Sequence, residues 1–448
     1  MNENAMQVVM ATAWYPPYDL GGTEIYLEGL VDELSRCGHA CTVLVPRAPG
    51  APAQYEHHGV QVRTYPVPAE PAPGEISRQL PHLGFDEFCQ ELSRHERAIY
   101  HQHSWTRGCG LEHLRAAHAL GLRTVLTIHV AGAVCLRGTL LHFGEEACDG
   151  LIEQTRCGAC WAQSRGAPRP VAWALARLPV ALTAPALRLR TKPTTALAAG
   201  VLAERKAEDL REAFDRCGRV VAVCQWLSEV LLINGVPREK LVVSRHGLAT
   251  AYLEQARSMA SKARPAERVL KLAYLGRWDR LKGVHVAVAA IRSLPAQLGV
   301  SLTVYAIDAS EDDGYQAQVM ALAADDPRIS FEPCAPHQAV AATLARHDAL
   351  VVPSLWLETG PLVVLEAQAV GLFILGSRLG GIVELVDGSG AGELIEPGNV
   401  QLWANAIARL AALKSAGPLP KFSGRLRTQA DVAADMLGLY RDLWSARQ

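Results

Sequence analysis

The sequence predicts an α/β protein built from two doubly wound parallel sheets. At 448 residues, the chain is longer than one ordinary domain. Short apolar strands alternate with amphipathic helices in both halves, starting near Gln7 and again near Leu270. This alternation is typical of parallel sheets whose crossover helices cover both faces. We therefore predict an N-terminal domain over 1–248, a C-terminal domain over 249–428 and a terminal helix over 429–448.

The composition limits the classes of function. A hydrophobic content of 49% and a charged content of 20% describe a globular protein with an ample core. A net charge of −1 argues against a general nucleic-acid binder. The first apolar run has no basic region before it, and no charge-free apolar run reaches about 18 residues. With no secretion signal, the 11 cysteines suggest reduced thiols or a metal site, and we expect a cytoplasmic protein.

The first strand and helix form a candidate ligand-binding turn. The strand runs from Gln7 to Ala13, and Gly21-Gly22 then opens a helix that closes at Gly38. The double glycine permits a ligand to approach the backbone at the carboxyl edge of the sheet. An ordinary tight turn is the alternative. The full glycine pattern of a dinucleotide site is missing, which disfavours a nicotinamide cofactor.

Histidines follow two of the next strands. Strands are predicted at 60–66, 98–101 and 124–129, with His103 just after the second and His129 at the end of the third. A lone histidine at a strand end is more often structural than catalytic. His129 is the stronger candidate for a site residue.

Four cysteines lie close together in the sequence: Cys135, Cys148, Cys157 and Cys160. Four thiolates can close a tetrahedral zinc site, and the last two form the Cys-x-x-Cys typical of a chelating knuckle. Separate thiols are the main alternative. A redox pair lacks the expected strand-to-helix setting. A zinc here would be structural rather than catalytic.

A basic strip covers 155–203, which contains no acidic residue. Its cations are Arg156, Arg165, Arg169, Arg177, Arg188, Arg190 and Lys192. Apolar runs broken by proline lie between them, as in an element that rests in a membrane interface beside anionic head groups. A helical hairpin that only covers the first domain is the equal alternative.

The second half opens with a cationic loop. A strand near 271–275 leads into Gly276-Arg277, and Lys282-Gly283 closes the loop. Two cations in a glycine-bounded loop can converge on one diphosphate. The pairs Asp312-Asp313 and Asp325-Asp326 are predicted to be caps or exposed acids, so no magnesium is required.

The stretch from Val351 to Glu384 carries two acids in a fixed setting. A strand ends at Pro353, Glu358 lies in the loop that follows, and Thr359-Gly360-Pro361 opens a helix containing Glu366. Helix ends attract phosphate, and carboxylates accept well from sugar hydroxyls. An anionic, hydroxyl-rich ligand such as a nucleotide sugar fits this arrangement. The alternative is that both acids are solvated residues on a helix surface and bind no ligand.

The spacing of Glu358 and Glu366, with Gly380-Gly381 after them, resembles the signature of retaining glycosyltransferase family 4. The Gly-Arg…Lys-Gly loop matches the same family. The resemblance covers most of the chain outside an insertion at 131–215. It implies the GT-B fold, two Rossmann-like domains facing across a cleft, with the terminal helix returning towards the first domain.

The resemblance also implies roles for individual residues. In the family the earlier acid contacts the donor sugar and the later acid contacts the ribose. The candidate catalytic residues are His129, Arg277, Lys282 and Glu358. The candidate donor-binding residues are Gly21, Gly22, Arg277, Lys282, Glu358, Gly360, Pro361, Leu362 and Glu366. The sequence departs from the family at Val130, where an acid often follows the histidine, and at Arg245-His246-Gly247, where Asn-Gly is usual.

The resulting hypothesis is transfer of a sugar, with retention of configuration, from a nucleotide-sugar donor to a lipid-linked or growing glycan. No catalytic cofactor is needed. The expected location is cytoplasmic, with peripheral contact to the inner membrane through the basic strip. A nucleotide-sugar epimerase and a non-catalytic nucleotide-sugar-binding scaffold are the alternatives. The epimerase would need no acceptor surface, and the scaffold would have no need for four converging charges.

Overall fold

The chain forms two compact α/β units. The computed structural model describes residues 5–18, 21–71, 75, 81–189, 191–260, 268–307, 314–334 and 336–445. The N-terminal unit comprises Met1–Arg245 and Gln429–Gln448, and the C-terminal unit comprises His246–Thr428.

An eight-stranded sheet forms the centre of the N-terminal unit, in the order β10-β9-β6-β5-β1-β2-β4-β3. Its pairs are parallel except for the antiparallel β3–β4 hairpin. The strands, with the small β7–β8 pair, are β1 Gln7–Ala11, β2 Ala40–Pro46, β3 Gln54–His57, β4 Val60–Tyr65, β5 Ile99–Gln102, β6 Arg123–Ile128, β7 Leu141–His142, β8 Glu146–Ala147, β9 Arg219–Ala222 and β10 Leu241–Val243. The helices are α1 Gly22–Arg36, α2 Phe85–Leu92, α3 Leu111–Ala119, α4 Gln154–Ser164, α5 Arg169–Ala176, α6 Val180–Thr183, α7 Lys192–Leu197, α8 Ala199–Arg216 and α9 Gln225–Ile233.

A six-stranded, fully parallel sheet forms the C-terminal unit, in the order β13-β12-β11-β14-β15-β16. The strands are β11 Leu270–Arg277, β12 Val300–Ile307, β13 Ile329–Pro333, β14 Ala349–Val352, β15 Phe373–Ser377 and β16 Gly392–Ile395. The helices are α10 Thr250–Ala260, α11 Val284–Ser293, α12 Tyr315–Ala323, α13 Val340–Leu344, α14 Leu362–Ala369, α15 Gly380–Val386 and α16 Val400–Ala416. The last helix, α17 Gln429–Ser445, belongs to the N-terminal unit. The predicted fold class of two parallel α/β sheets is confirmed.

Helices cover the sheets because the strands are apolar on both faces. In β11, Leu272 and Tyr274 enter one core cluster, whereas Ala273 enters the cluster on the opposite face. In the N-terminal unit, the apolar stripe of α1 packs with α17, where Met436 and Tyr440 are fully buried. Gln429 lies so close to α1 that a Cβ on Gly29 would lie 1.8 Å from its side chain.

Each sheet reverses its strand order at one point. The reversal lies between β1 and β5 in the N-terminal unit and between β11 and β14 in the C-terminal unit. Loops at the carboxyl ends of such neighbouring strands diverge and leave a crevice where ligands bind. The predicted residues Arg277, Lys282 and Glu358 follow β11 and β14, so they lie at the reversal of the second sheet.

Candidate functional site

The loops after β11 and β14 are joined to each other through their backbones. The amide of Leu355 donates to the carbonyl of Leu281 at 2.7 Å. Gly283 has a φ of +70°, and a Cβ there would lie 2.0 Å from the carbonyl oxygen of Pro353. Glycine is therefore required at this position for both its conformation and its lack of a side chain. The join fixes the positions of Lys282 and Glu358.

Lys282 and Glu358 form an ion pair, with Nζ 2.7 Å from Oε1. The same Oε1 accepts from the Ser354 hydroxyl at 2.8 Å and from the Trp356 indole N–H at 2.9 Å. The Lys282 ammonium also lies 5.5 Å from the centre of the Trp356 ring. Glu358 is only 5% exposed, so these donors replace the water that a carboxylate needs. The carboxylate is held in one orientation.

Arg277 is an exposed cation beside this pair. It ends β11, and its carbonyl accepts from the Tyr274 hydroxyl at 3.1 Å. Burial raises the pKa of Tyr274 well above its ordinary value; Glu358 raises it further, and Arg277 lowers it. Both charges therefore act on one buried hydroxyl. Within the described part of the chain, Arg277 has no ion pair, so its guanidinium is available to an anion.

The second predicted acid, Glu366, lies in α14. The helix begins at Leu362, with Pro361 immediately before it at a φ of −65° and no side chain capping it. Glu366 is buried in the fifth position, and the Tyr252 hydroxyl donates to its backbone carbonyl at 3.3 Å. Burial, and next the charge of Glu366, raises the pKa of Tyr252. The structure thus places Glu366 in the helix that follows the Glu358 loop.

Close backbone packing explains the glycines around Glu358. The amide of Gly381 donates to the Glu358 carbonyl at 2.6 Å, and a Cβ on Gly380 would lie 2.6 Å from the same oxygen. On the other side, the ring Nδ1 of the half-buried His246 lies 2.9 Å from the Gly360 carbonyl. In the sequence, His246 was visible only as a departure from the family pattern, and its contact with Gly360 was not predicted. His246 holds the loop that carries Glu358.

The N-terminal unit carries the predicted glycine turn at the start of α1. Gly21 immediately precedes the helix and Gly22 is its first residue. The buried Glu24 side chain folds over Gly21, where a Cβ would lie 2.5 Å from Oε2. A Cβ on Gly22 would meet nothing within 4 Å. Gly22 therefore leaves open space for a group that approaches the backbone.

His129 belongs to a stack of buried histidines at the ends of β5 and β6. Its Nε2 lies 3.1 Å from Nδ1 of His103, and its ring centre lies 4.8 Å from that of Tyr26. The His103 ring lies 4.0 Å from that of His101, with the two planes tilted by 37°. The ring nitrogens of His101 lie within hydrogen-bond distance of the hydroxyls of Tyr440 and Thr127. Burial lowers the pKa of His101 to about 3 and that of His103 well below its ordinary value. Sequence reasoning ranked His103 below His129 and missed their pairing.

The four cysteines of the zinc prediction lie near one another without forming a cluster of sulfur ligands. Among the described residues, the group whose ligand atoms all lie within 4.8 Å of one another is Glu28, His57 and His58; no three of these cysteines meet that criterion. Three thiols instead face protein oxygens: Cys148 that of Asp149, Cys157 that of Leu151, and Cys160 that of Leu141. Burial raises the pKa of all three, and the nearby Cys135 raises it further. The zinc stays a prediction.

Part of the charge of the basic strip is neutralised. Arg156 pairs with Asp149 and Glu153, and Arg169 pairs with Glu145; these acids lie in the segment just before the strip. Sequence counting missed them because they lie outside the strip. Arg190, Asp312 and Asp313 lie outside the described residues. Asp325 is exposed, as predicted, whereas the half-buried Asp326 pairs with Arg328 at 2.8 Å.

No single helix in the described ranges is long and apolar enough to cross a membrane. One pair, Arg169–Ala176 with Val180–Leu189, passes by length and composition when taken together, but it bends by 107° at its break.

Family models match both units of the chain. A model described as "Glycosyltransferase Family 4" matches residues 20–252, and one described as "Glycosyl transferases group 1" matches residues 257–422. The chain belongs to Glycosyltransferase Family 4. The Family 4 match includes the double-glycine turn, His129 and the cysteine-bearing segment. The group 1 match includes Arg277, Lys282, Glu358 and Glu366.

Related proteins agree with this assignment. The amylovoran biosynthesis glycosyltransferase AmsK of Erwinia amylovora is 28% identical over 223 residues, which are 47% of this chain and 51% of that protein. The Family 4 chain thus spans about half the length of this curated relative. Among solved structures, the sucrose-phosphate synthase of Thermosynechococcus elongatus has a TM-score of 0.66 at 18% identity, covering 99% of this chain and 100% of that one.

A second solved structure is HepE of Anabaena in complex with UDP and glucose. Its TM-score is 0.57 at 14% identity, covering 98% of this chain and 96% of that one. At such low identity these structures inform the fold alone. The chain has the GT-B fold of two Rossmann-like domains.

Proposed function

We propose that this Family 4 protein is a glycosyltransferase that uses a nucleotide-sugar donor. The observation that carries the proposal is the Lys282–Glu358 ion pair, with exposed Arg277 beside it, at the strand-order reversal of the C-terminal unit. Ligands of doubly wound sheets bind at this position. The UDP and glucose named for the HepE structure support a donor of this class.

In the proposed reaction, the cations stabilise the leaving group. Arg277 and Lys282 bind the diphosphate, whose negative charge grows as the bond to the sugar breaks. Glu358 accepts from a sugar hydroxyl, and its orientation is set by Ser354 and Trp356. Glu366 accepts from the ribose. The departing diphosphate takes the proton of the acceptor hydroxyl. The acceptor therefore attacks the sugar from the same face that the diphosphate leaves, and the configuration is retained.

The acceptor in this proposal is a lipid-linked or growing glycan. The relative AmsK is named for the biosynthesis of amylovoran, which supports a role in glycan assembly. In the N-terminal unit, Gly22, with open space where a Cβ would lie, and the buried His129 are the candidate sugar-contacting residues of this proposal.

The test is incubation of the purified chain with a panel of nucleotide sugars and glycan acceptors. Acceptor-dependent nucleotide release supports transfer, an epimerised donor indicates an isomerase, and neither product indicates a scaffold. Arg277→Ala should remove the activity. Arg280→Ala is the matched control, because Arg280 is exposed in the same loop but turns to Gln318 and the Tyr315 ring. Equal loss in both variants would contradict the assignment.

We also propose that the basic strip rests on an anionic membrane surface. Leu182 is 76% exposed and Leu189 is 68% exposed, an unusual state for large apolar side chains. Arg177 and Arg188 have no acidic partner among the described residues. Apolar side chains that enter the interface beside cations are typical of peripheral membrane elements.

Co-sedimentation with vesicles of varied anionic content tests this docking. Each cation near an anionic surface contributes about 1 kcal/mol, so binding should weaken steeply with salt. The test variant replaces Arg177, Arg188, Arg190 and Lys192 with glutamine. The control variant replaces the exposed residues Arg97, Arg238, Arg257 and Arg292 in the same way. Equal partitioning of the two variants, or no binding at low salt, would leave the strip as a cover for the N-terminal unit.

A further inference from the structure

Two histidines and a glutamate meet at the outer edge of the N-terminal sheet. The β3–β4 hairpin lies against the middle of α1, where His57 Nε2 is 2.7 Å and His58 Nδ1 is 3.4 Å from Glu28 Oε1. These three ligand atoms all lie within 4.8 Å of one another. Neither the family resemblance nor the proposed function uses this cluster.

A second carboxylate extends the cluster. Asp32 lies one helical turn after Glu28, and its Oδ2 is 3.8 Å from Nδ1 of His58. Burial raises the pKa of Asp32, and the nearby His58 opposes that rise. The cluster therefore offers two imidazole nitrogens and two carboxylates from two different elements.

The backbone of the hairpin holds the two rings together. His58 has a φ of +50° and Gly59 a φ of +79°, so both residues of the tight turn adopt the left-handed conformation. Asparagine and glycine are the usual residues of such a turn, and histidine is among the other residues enriched in the left-handed conformation. The turn stacks the His58 ring on His57, with ring centres 4.3 Å apart and planes 16° apart. The left-handed turn costs free energy, and it places a ring nitrogen of each histidine next to Glu28.

We propose that Glu28, His57, His58 and Asp32 form a binding site for a divalent transition-metal ion, with Zn²⁺ as the best match. Imidazole nitrogens with carboxylate oxygens suit this ion, and ligands about 2.0–2.1 Å from a tetrahedral zinc lie roughly 3.3 Å apart. The separations of 2.7, 3.4 and 3.8 Å between the ligand atoms bracket that value. The ligand atoms of Glu28, His57 and His58 already lie within 4.8 Å of one another, and a rotation of the Asp32 side chain would add the fourth ligand.

A metal at this point would tie the hairpin to α1 and stiffen the loop after β1. The Tyr15 ring packs edge-on against His57 at 5.9 Å, and the Tyr55 hydroxyl of the hairpin donates to the Pro16 carbonyl at 3.0 Å. That loop leads to the double-glycine turn at the start of α1. The site is thus structural, and its occupancy can be measured without any transferase assay.

The test is titration of the full, chelator-treated chain with Zn²⁺ and with Co²⁺. The informative variant is His58→Asn, because asparagine readily adopts the left-handed turn and the fold is preserved. The matched control is His118→Asn, an exposed histidine near the end of α3. We expect metal affinity to fall at least tenfold in His58→Asn and in Glu28→Gln, and to be unchanged in His118→Asn.

The cobalt spectrum separates this site from the cysteines. A nitrogen-and-oxygen site gives no intense thiolate charge-transfer band, whereas cobalt bound by cysteines does. A weak-band spectrum that disappears in His58→Asn supports the proposal. Unchanged binding in both cluster variants, or binding that shows only the thiolate band, would overturn it. Neither result bears on the proposed donor site, because the roles of Arg277 and Lys282 are tested separately by nucleotide release.

Discussion

Replacing Lys282 with alanine should affect stability and activity by separable mechanisms. The change removes the ammonium 2.7 Å from Glu358 and leaves a 5%-exposed carboxylate with two neutral donors, Ser354 and Trp356. Lys282 itself is partly exposed, so its own desolvation is small. The result is a buried charge that has lost its counter-charge.

The stability loss can be estimated from the remaining contacts. A hydrogen bond to a charged group contributes about 1.5–3 kcal/mol. The two remaining donors keep the loss within this range, below the 3–5 kcal/mol typical of a fully buried broken pair. The activity loss has a different origin, because a missing charge on the leaving group costs about 2.7–4 kcal/mol, roughly 100- to 1000-fold in turnover.

A second substitution distinguishes the two effects. In Lys282→Ala/Glu358→Gln, the neutral amide still accepts from Ser354 and Trp356 and needs no counter-charge. We expect the double variant to regain most of the lost stability. Turnover is read from Lys282→Ala alone, because Glu358 is itself a candidate catalytic residue. Urea unfolding, with hydrogen exchange of the loop over 353–361, reports on the C-terminal unit. Nucleotide release under saturating donor reports on turnover.

Two outcomes would refute this reasoning. If the double variant is as unstable as Lys282→Ala, the ion pair is not what the lysine contributes. If Lys282→Ala keeps near-normal turnover, Lys282 contributes to stability and does not contact the leaving group.

The remaining predictions concern other parts of the molecule. Arg277→Ala should lower turnover at least about 100-fold without shifting the unfolding midpoint, because the side chain is exposed and has no partner within the described residues. Glu366→Gln should weaken donor binding more than turnover, as measured by calorimetry beside kinetics, whereas Glu358→Gln should do the reverse. His101→Gln should reduce the loss of stability that occurs as the pH falls from 6.5 to about 3. In that range the buried imidazole gains a proton on unfolding, which lowers the free energy of unfolding by about 1.4 kcal/mol per pH unit. Elemental analysis should find about one equivalent of zinc that is lost in Cys157→Ser and kept in His58→Asn.

Each of these has a contrary result. Near-normal turnover in Arg277→Ala would remove it from the donor site, and a reversed pattern for the two acids would exchange their roles. The sign of the pH effect is fixed: above pH 6.5 His101 is neutral in both states, and below it only the unfolded state takes up the proton, so stability falls as the pH falls. An unchanged pH profile in His101→Gln would show that this histidine does not control acid stability. Zinc-free protein with freely titrating cysteines would rule out the metal.

The alternation of elements was predictable because strands and helices have different apolar periods. The strand Ala349–Val352 and the helix after Pro361 follow from apolar runs and from the conformational limits of proline and glycine. The charges of the candidate site were predictable for a related reason. A cation in a glycine-bounded loop after a strand has few structural uses.

The positioning contacts could not be predicted, since they join residues far apart in the sequence. The His246 ring contacts the Gly360 carbonyl, and the backbone amide of Leu355 donates to the Leu281 carbonyl. Nothing in the local sequence around these residues indicates which partner each one has. The pairing of His103 with His129 depends on β5 and β6 being neighbours, a fact of sheet order. For the cysteines, the spacing in the sequence predicted a site that the four residues share. The directions in which their sulfur atoms point depend on tertiary packing, which the spacing does not determine.

The return of α17 to the N-terminal unit has a consequence for synthesis on the ribosome. Met436 and Tyr440 belong to a core whose buried members outside α17 come from the first half of the chain, and the Tyr440 hydroxyl lies 2.6 Å from His101. The whole C-terminal unit is translated before them. Until then, the apolar stripe of α1 has no permanent cover, whereas the C-terminal unit already contains every residue of its own sheet. The nascent chain should therefore finish its second unit first, and the exposed stripe of α1 is where a chaperone would bind in the interval.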